Sequence, residues 1–325
     1  MAFLVSLLFA FVPAFFMAAL IYWLDRYEKE PLALLGAAFF WGAVVAAGGA
    51  FIINTVFGLG IYAVTESAEV ADQATASLVA PFVEEGFKGL AVLLVFFFFH
   101  KEFDSILDGI IYASITALGF AATENVLYIY QHGYLDGGGW DALWQLVVIR
   151  DVVVAWQHPF FTAFTGIGLA AARMNRNVLV KIIAVPLGYA TAVFAHAFHN
   201  SFSSLIGGLA GFALGSVLDW FGWFVMALFI LFMIARERRL LQEQLKDEVT
   251  SGTITRAQYV RALSPFTMST AFFQGGRKAS RFYQVCGELA HKKEQLLKLG
   301  DERGNAALVQ SLRTELAGLA PQVRA

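Results

Sequence analysis

Residues 2–24 read AFLVSLLFAFVPAFFMAALIYWL, a run of 23 residues without a charged side chain. A helix needs about 20 apolar residues to cross the hydrocarbon core of a bilayer, so this run predicts a membrane-spanning helix. It has no basic segment at its start and no clear small-residue cleavage site before Asp25. We therefore expect a retained helix rather than a signal peptide.

The composition of the whole chain agrees with this first run. Hydrophobic residues make up 58% of the 325 residues and charged residues 15%, and the mean hydropathy is +0.63. A soluble domain has too little polar surface to cover so many apolar side chains. Seven apolar stretches are candidate spans, and Gly58 and Gly60 are candidate early ends of the second. The stretches lie at about 2–24, 32–60, 78–99, 109–131, 143–172, 178–205 and 208–235.

Basic residues are concentrated toward the carboxyl end of the sequence. Of the 23 Lys and Arg residues, 15 follow position 234 and 8 precede it. We predict an all-α, polytopic transmembrane helical bundle of about seven spans over residues 1–235, followed by a C-terminal cytoplasmic helical tail over residues 236–325. The tail has helical periodicity, and two interpretations stay open: a solvated helical appendage, or a regulatory or partner-docking segment.

The distribution of Lys and Arg among the short connections predicts the orientation. One alternate set of connections carries basic residues, whereas the other set, at about 61–77, 132–142 and 206, carries none. Because cytoplasmic connections are rich in Lys and Arg, we expect the amino terminus outside and the tail inside a bacterial plasma membrane. The net charge of -2 gives no indication of a nucleic-acid partner, and the lone Cys286 rules out an internal disulfide.

Clusters of ionisable side chains interrupt four of the predicted spans. A charged group in hydrocarbon is costly unless it is paired, so each one inside a span is a functional hypothesis. These residues and their amide neighbours are, span by span, Glu84, Glu85 and Lys88; Glu124 and Asn125; Arg150, Asp151 and His158; and His196, His199 and Asn200.

The depths of four of these residues in the membrane indicate a shared site. Adjacent spans run in opposite directions, and a helix rises 1.5 Å per residue. Glu84 lies roughly 10 Å below the outer start of its span, and Glu124 and His196 lie about seven and about nine residues short of the outer ends of theirs. His158 is compatible with the same layer. We therefore predict one polar pocket in the outer third of the membrane.

The residue types in this layer suit the activation of water. Glu84 and Glu85 precede Lys88 by four and three residues, and His196 precedes Asn200 by four. Residues at these spacings share one face of a helix. A carboxylate can take a proton from water while histidine, an amide or a metal holds the oxyanion that forms on a peptide carbonyl. Zn²⁺ is the metal that histidine with carboxylate ligation would suit.

A structural role competes with the catalytic one for several of these residues. Glu85 with Lys88 fits a buried structural ion pair as well as a catalytic one. The structural interpretation is favoured for Arg150 with Asp151, for His199, and for Asp219 in the last span.

Several short motifs occur in order along about the first 235 residues. They are DRYE at 25–28 with Pro31, EExxK as Glu84, Glu85 and Lys88, LDG at 107–109, FxxxEN as Phe120, Glu124 and Asn125, R…HxxxT…G as Arg150, His158, Thr162 and Gly166, and HxxxN as His196 and Asn200. At these residues the sequence resembles the PrsW family of bacterial intramembrane proteases and, more distantly, the CAAX prenyl protease and bacteriocin-processing superfamily. It departs from the family at Lys29 and Glu30, where a proline is frequent, and at His199.

The resemblance implies hydrolysis of a peptide bond near the outer side of the membrane, in a membrane-anchored protein such as an anti-sigma-type regulator. By likeness Glu84 is the general base and Glu85 its partner, held by Lys88. By the same likeness, Glu124, His158 and His196 would orient the water or bind a metal. Asn200 would supply one further polar contact. The family name implies a metalloprotease, but the sequence has no HExxH and related enzymes have been argued to be glutamate proteases. A Zn²⁺-dependent and a metal-free mechanism both stay open.

Functions of other classes also use ionisable residues inside a membrane. An ion-coupled transporter would need a polar path, whereas these groups form one layer and no inverted repeat is evident. A non-catalytic membrane scaffold would bind helices without turnover, and the complete set of motifs argues against it. Prenyl-dependent processing is disfavoured because Glu124 stands where the distant relatives have histidine. The expected partners are therefore a membrane-anchored protein substrate and the lipid bilayer.

Overall fold

The computed structural model describes residues 1–301 and 304–324, and every regular element among them is helical, as predicted. The α-helices are α1 (Ala2–Leu24), α2 (Leu32–Phe40), α3 (Ala47–Thr65), α4 (Ala68–Ala74), α5 (Ala80–Phe98), α6 (Ile106–Leu127), α7 (Trp140–Val148), α8 (Gln157–Arg173), α9 (Val178–Ile206), α10 (Gly208–Gln244), α11 (Lys246–Thr250), α12 (Arg256–Ala262), α13 (Thr267–Leu299) and α14 (Asn305–Leu319). π-Helical segments lie at Trp41–Ala46, Thr75–Val79, Tyr128–Leu135 and Ile149–Val153, and a 3₁₀ turn lies at Ala320–Gln322.

Among the described residues, five helical stretches are long and apolar enough to cross a membrane. They are Ala2–Leu24, Leu32–Thr65, Ile106–Leu135, Val178–Phe202 and Ala210–Thr250. In the predicted third span, α5 has 19 residues and carries Glu84, Glu85 and Lys88. In the predicted fifth span, α8 has 17 residues. The bundle is therefore that of a polytopic membrane protein, whereas the count of seven spans and the orientation of the termini stay predictions.

The predicted fifth span is interrupted rather than continuous. The helical path of α7 and its π-helical extension ends at Val153, and α8 begins at Gln157. Pro159 lies in the first turn of α8, where its missing N–H is not needed; deeper in a helix its ring would clash with the preceding turn. The break places His158 at the start of α8 instead of in the middle of a long helix.

The predicted early end of the second span is wrong. The helix continues through Gly58 and Gly60 to Thr65. A glycine costs a helix only about 1 kcal/mol relative to alanine. Backbone groups left unpaired in lipid cost more than that, so the helical hydrogen bonds persist through both glycines.

α6 lies at the centre of the membrane body, and all of its residues from 107 to 122 are buried. Its neighbours approach closely at glycines. A Cβ on Gly109 would overlap the backbone carbonyl of Gly166 on α8, and a Cβ on Gly166 would overlap that of Gly109. Such small-residue contacts let membrane helices pack with their backbones almost touching. α6 and α8 thereby bring Glu124 and His158 within reach of each other.

The tail packs against the membrane body and is not a separate solvated appendage. Gln284 on α13 forms hydrogen bonds with the backbone of Lys29, accepting from its N–H at 2.9 Å and donating to its carbonyl at 3.0 Å. The predicted domain boundary at 235/236 lies inside α10. The apolar core of the tail also includes one residue of the body, Tyr27, and contains among others Phe282, Cys286, Leu289, Leu312 and Leu316.

Candidate active site

Four helices converge on one buried polar group in the membrane body. Glu84, Glu85 and Lys88 come from α5, Glu124 from α6, His158 from α8 and His196 from α9. The structure thus brings together six of the seven residues predicted from the sequence. Lys88 and Glu85 are fully buried, and the other members are nearly so or half-buried. We refer to these six residues as the candidate site.

Lys88 lies at the centre of the candidate site. Its Nζ is 2.8 Å from Glu85 Oε1 and 3.6 Å from Glu84 Oε2, because both carboxylates lie about one helical turn before it. The same Nζ is 3.1 Å from His158 Nδ1 and lies 4.0 Å from the ring centre of Phe120. One ammonium group therefore lies between two adjacent carboxylates, offsets one of their two negative charges and positions an imidazole.

Glu85 is the carboxylate with the most partners. Its Oε1 is 3.0 Å from His196 Nδ1 in addition to Lys88, and its Oε2 accepts a hydrogen bond of 2.8 Å from Thr162 Oγ1. The ring of His196 also stacks on Phe161, with 4.9 Å between ring centroids. These contacts fix the orientation of His196, whose Nδ1 donates to Glu85 and whose Nε2 is left facing Glu84.

Glu124 joins the candidate site through a histidine and an arginine. Its Oε2 is 2.9 Å from His158 Nε2 and is paired with Arg150. Arg150 also donates from Nε to Asn125 Oδ1 at 2.7 Å, and Asn125 donates to Asp151 Oδ1 at 3.1 Å. Arg150 and Asp151 do not pair directly: the guanidinium is turned toward Glu124, and Asn125 links the two. Their predicted structural role stays a prediction.

Glu84 is the member with an oxygen available for chemistry. Its Oε1 accepts a long hydrogen bond of 3.4 Å from Asn54 Nδ2 on α3. Its Oε2 is buried without a hydrogen-bond partner in the part of the chain that the structure describes, and lies 3.9 Å from His196 Nε2. A buried carboxylate oxygen without a donor is costly, so it marks the place where a water, an ion or a substrate is expected.

Asn200 is not brought into this group. It lies one turn after His196 on α9, but its Nδ2 donates to the carbonyl of Ala76 at 2.8 Å. His199 instead belongs to a second polar contact between three helices. Its Nδ1 is 2.9 Å from Asp219 Oδ2 on α10, and Gln157 Nε2 donates to the same oxygen at 2.8 Å.

Asn54 and Gln157 were not singled out from the sequence. Asn54 is the one amide in the apolar run FIINTVF, and such an isolated polar residue in a span is itself a signal. Gln157 directly precedes His158, and its contact with Asp219 fixes the first turn of α8. The hydroxyl of Thr162, four residues after His158, also belongs to the surroundings of Glu85.

The candidate site has a donor set that fits a divalent metal ion. Glu84, His158 and His196 each offer one ligand atom, and the three atoms lie within 4.8 Å of one another. Two histidines with one carboxylate is a set that Zn²⁺ uses in hydrolytic sites. Each histidine also has one ring nitrogen beside a second carboxylate, as metal-binding histidines usually do. The set differs from the predicted one by having Glu84 in place of Glu124.

Comparisons with known proteins all point to one family. The model of the "PrsW family intramembrane metalloprotease" matches residues 30–235. The chain is 30% identical over 149 residues to "Protease PrsW" of Geobacillus kaustophilus, covering 46% of this chain and 58% of that protein. It is 35% identical over 154 residues to "Protease PrsW" of Clostridioides difficile, covering 47% and 60% respectively. The chain is 26% identical to "Protease PrsW" of Bacillus subtilis, over 51% of this chain and 67% of that protein. No solved structure matches the chain.

Proposed function

The chain belongs to the PrsW family of intramembrane proteases, and on that premise we propose that it is an endopeptidase that cleaves membrane-anchored proteins near the outer side of the membrane. The observation that carries the proposal is the free oxygen of Glu84, held among two histidines and a lysine inside the bundle. The matched regions span 58% of the Geobacillus relative and 67% of the Bacillus relative, so activity and substrate are part of the proposal.

In the proposed reaction Glu84 is the general base. Its Oε2 and His196 Nε2 are two acceptors 3.9 Å apart, and a water that donates to both would be held between them. Transfer of one water proton to Glu84 leaves a hydroxide beside the scissile carbonyl, and the same carboxyl group then gives the proton to the leaving amine. Among the three carboxylates of the candidate site, Glu84 is the one with a buried oxygen that has no hydrogen-bond partner in the described residues.

The other residues of the candidate site hold these two groups in place. Glu85 accepts from Thr162 and Lys88 and orients His196. Lys88 also donates to His158 Nδ1, so the other nitrogen of that ring, Nε2, donates to Glu124. The proton positions of both rings are therefore set by their partners. Such fixed dipoles favour catalysis because they need no reorganisation during the reaction.

A metal ion could be held by the same residues if His158 gave up one of its two contacts, with Lys88 or with Glu124, to free a ring nitrogen. Glu84, His158 and His196 would hold it, and it would supply Lewis-acid polarisation of water and of the peptide carbonyl. Glu84 would then be a ligand rather than a free base. Single-pass regulators of the anti-sigma type are the substrates that the family suggests, and their identity stays a proposal.

The proposal is tested by comparing cells that express the wild-type chain with cells that express Glu84→Gln or His196→Ala. New amino termini of single-pass membrane proteins are mapped by quantitative mass spectrometry. We expect both variants to lower the cleavage rate at least about 100-fold, as loss of a general base does. Glu69→Gln, an exposed carboxylate on α4, is the matched control and should leave cleavage unchanged. Unchanged cleavage by both site variants would contradict the proposal.

Metal content separates the two mechanisms. Purified, active wild-type protein is analysed for metals beside His196→Ala and beside His199→Ala, whose ring contacts Asp219 outside the candidate site. One zinc per chain that is lost only in His196→Ala would establish the metal-dependent mechanism. Full activity at far less than one metal per chain would establish carboxylate catalysis.

A further inference from the structure

A cavity of about 630 Å³ lies between the last turn of α1 and the first half of α13. Tyr22 and Trp23 line it from the side of α1, at the end of a helix that is long and apolar enough to cross a membrane. Tyrosine and tryptophan at such helix ends sit at the level of the lipid headgroups. The position of the cavity is therefore the boundary between the bilayer and water.

The charged residues that line the cavity are all cations. Among the described residues of its wall these are Lys29, Arg277 and Arg281, and no carboxylate is present there. Arg281 is committed to ion pairs with Glu288 and Glu315. Lys29 donates to the backbone carbonyl of Tyr22 and lies over its ring.

Arg277 is the cation of the cavity with a free charge. It is exposed, and it forms no hydrogen bond or ion pair with another residue in the described ranges 1–301 and 304–324. The hydroxyl groups of Ser269 and Ser280 line the same cavity. A guanidinium with nearby hydroxyls is the donor set that binds a phosphate group.

The rim of the cavity is apolar and unusually exposed. Trp23 and Phe272, which line the cavity, are 42% and 56% exposed. Phe273, whose ring lies 6.0 Å from that of Phe272, is 87% exposed, and Phe266 just before α13 is 59% exposed. The phenylalanines lie on or just before the first two turns of α13, before the backbone leaves helical geometry at Gly275 and Gly276. In water this rim would cost free energy, whereas at the surface of a bilayer it would be covered by acyl chains.

We propose that this cavity binds the headgroup of an anionic phospholipid, with Arg277 on the phosphate and the aromatic rim among the acyl chains. The rim favours a lipid over free phosphate, because a free anion would leave the phenylalanines uncovered. The residues that line the cavity, on α1, at Lys29 and on α13, all lie outside the region 30–235 that matches the family, so the site is not part of the matched region. The bound lipid would fasten the start of α13 to the membrane surface.

The test is native mass spectrometry of the full-length protein released from mixed micelles. Phosphatidylglycerol and phosphatidylcholine with identical acyl chains are offered in equal amounts to the wild type, Arg277→Gln and Lys278→Gln. Lys278 is the matched control, since it is one residue away, does not line the cavity and donates to Gln322. We expect the wild type to retain phosphatidylglycerol preferentially. Arg277→Gln should lower that retention about fivefold, the effect of one basic group near an anionic surface.

A second variant tests the apolar part. Phe273→Ser should lower the retention of both lipids, because it removes contact with acyl chains rather than with phosphate. The proposal would be overturned by equal retention of the two lipids in the wild type, or by equal retention of phosphatidylglycerol in Arg277→Gln and Lys278→Gln. Displacement of the lipid by millimolar inorganic phosphate with no effect of Phe273→Ser would also overturn it, in favour of a free-anion site. So would Arg277-dependent binding of an acidic peptide without any lipid preference.

Discussion

Two buried polar clusters of this molecule have similar composition and different construction. The candidate site combines carboxylates, histidines and Lys88 within the bundle. The second cluster, which we call the junction cluster, contains Glu28, Asp104, His291 and Lys292. His291 Nδ1 is 2.9 Å from Asp104 Oδ1 and 3.5 Å from Glu28 Oε2, and Lys292 donates to Asp104. In each cluster three side chains are close enough together to hold a metal ion.

The difference is where the positive charge comes from. In the candidate site Lys88 is on the same helix as Glu84 and Glu85, so the cation and the two carboxylates beside it belong to one element. In the junction cluster the acids belong to connections of the membrane body and the cations to α13 of the tail. The first construction pairs a reactive group with a cation of its own helix and needs no charge from the tail. The second holds two parts of the chain together and depends on both.

The largest effect is expected from Lys88→Met. It leaves the fully buried Glu85 without its ammonium partner, and breaking a buried ion pair costs about 3–5 kcal/mol. Thermal unfolding of the purified protein should shift accordingly and proteolysis should be lost. Lys101→Met, which alters an exposed side chain between α5 and α6, is the control. If the Lys88 variant unfolds at the same temperature as the Lys101 control, the buried ion pair does not stabilise the candidate site.

Asp104→Asn should weaken the docking of the tail on the membrane body and should affect proteolysis less. It removes the charge that faces both His291 and Lys292, and we expect the docked tail to lose about 2–3 kcal/mol of stability, as for a charged hydrogen bond. Faster hydrogen exchange of α13 amides would show this, with Glu102→Gln as the neighbouring control. Proteolytic activity should change less than the tail does. Loss of activity with an intact tail would mean that the two clusters do not have separate roles.

Thr162→Val tests one hydrogen bond inside the candidate site. The variant keeps the volume and removes the hydrogen bond to Glu85 Oε2, which is worth about 1.4 kcal/mol or roughly a tenfold loss of turnover. Thr165→Val is a close control, because Thr165 is buried on the same helix and its hydroxyl has no partner among the described residues. Steady-state rates of the two variants should differ by that factor. Equal rates would show that Glu85 does not need its third partner.

The smallest effect is expected from pH, on which the stability of the docked tail should depend through the junction cluster. Burial alone would lower the pKa of His291, but Glu28 and Asp104 beside it raise that pKa well above its ordinary value. A histidine with a raised pKa stabilises the folded state fully below about pH 6.5, and the stabilisation is lost as the pH rises through the higher folded value. Burial also raises the pKa of Glu28, which acts in the same direction. The protection factors of α13 amides, which correct for the base-catalysed intrinsic exchange, should therefore fall above about pH 6.5.

The control for this pH effect is His291→Gln, which should remove most of it. Asp104 does not contribute to the change in stability above about pH 6.5. Burial would raise its pKa, but Lys292 and His291 hold it well below its usual range, so its contribution is already complete above about pH 4. Protection factors of α13 that stay constant from pH 6 to pH 9 in the wild type would contradict the assignment.

The helical bundle was predictable because apolar runs of span length leave few alternatives, but its interruptions were not. The chain stays apolar through residues 154–156, so hydropathy alone gives no sign of the break before α8. Pro159 was the available signal, since proline is tolerated in the first turn of a helix. The docking of the tail was also missed, because charges such as those of His291 and Lys292 look the same in a sequence whether they face water or Asp104.

The members of the candidate site were predictable from depth, and their partners were not. Depth along a span follows from residue counting, and it placed Glu84, Glu124 and His196 in one layer. The direction in which a side chain points depends on the rotation of its helix and on the neighbouring helix. Counting therefore gives no means of telling that Asn200 bonds Ala76 or that Arg150 bonds Glu124.

The length of α10 has a mechanical consequence. With 37 residues it is about 55 Å long, nearly twice the thickness of the hydrocarbon core, and it runs without interruption into the tail. About a third of the way along it from Gly208, Asp219 accepts a hydrogen bond from Gln157, the residue before His158. A force applied to the tail therefore acts on a stiff rod that touches the first turn of α8, and two glycines inserted at 235 would introduce a hinge that disconnects the tail from this contact.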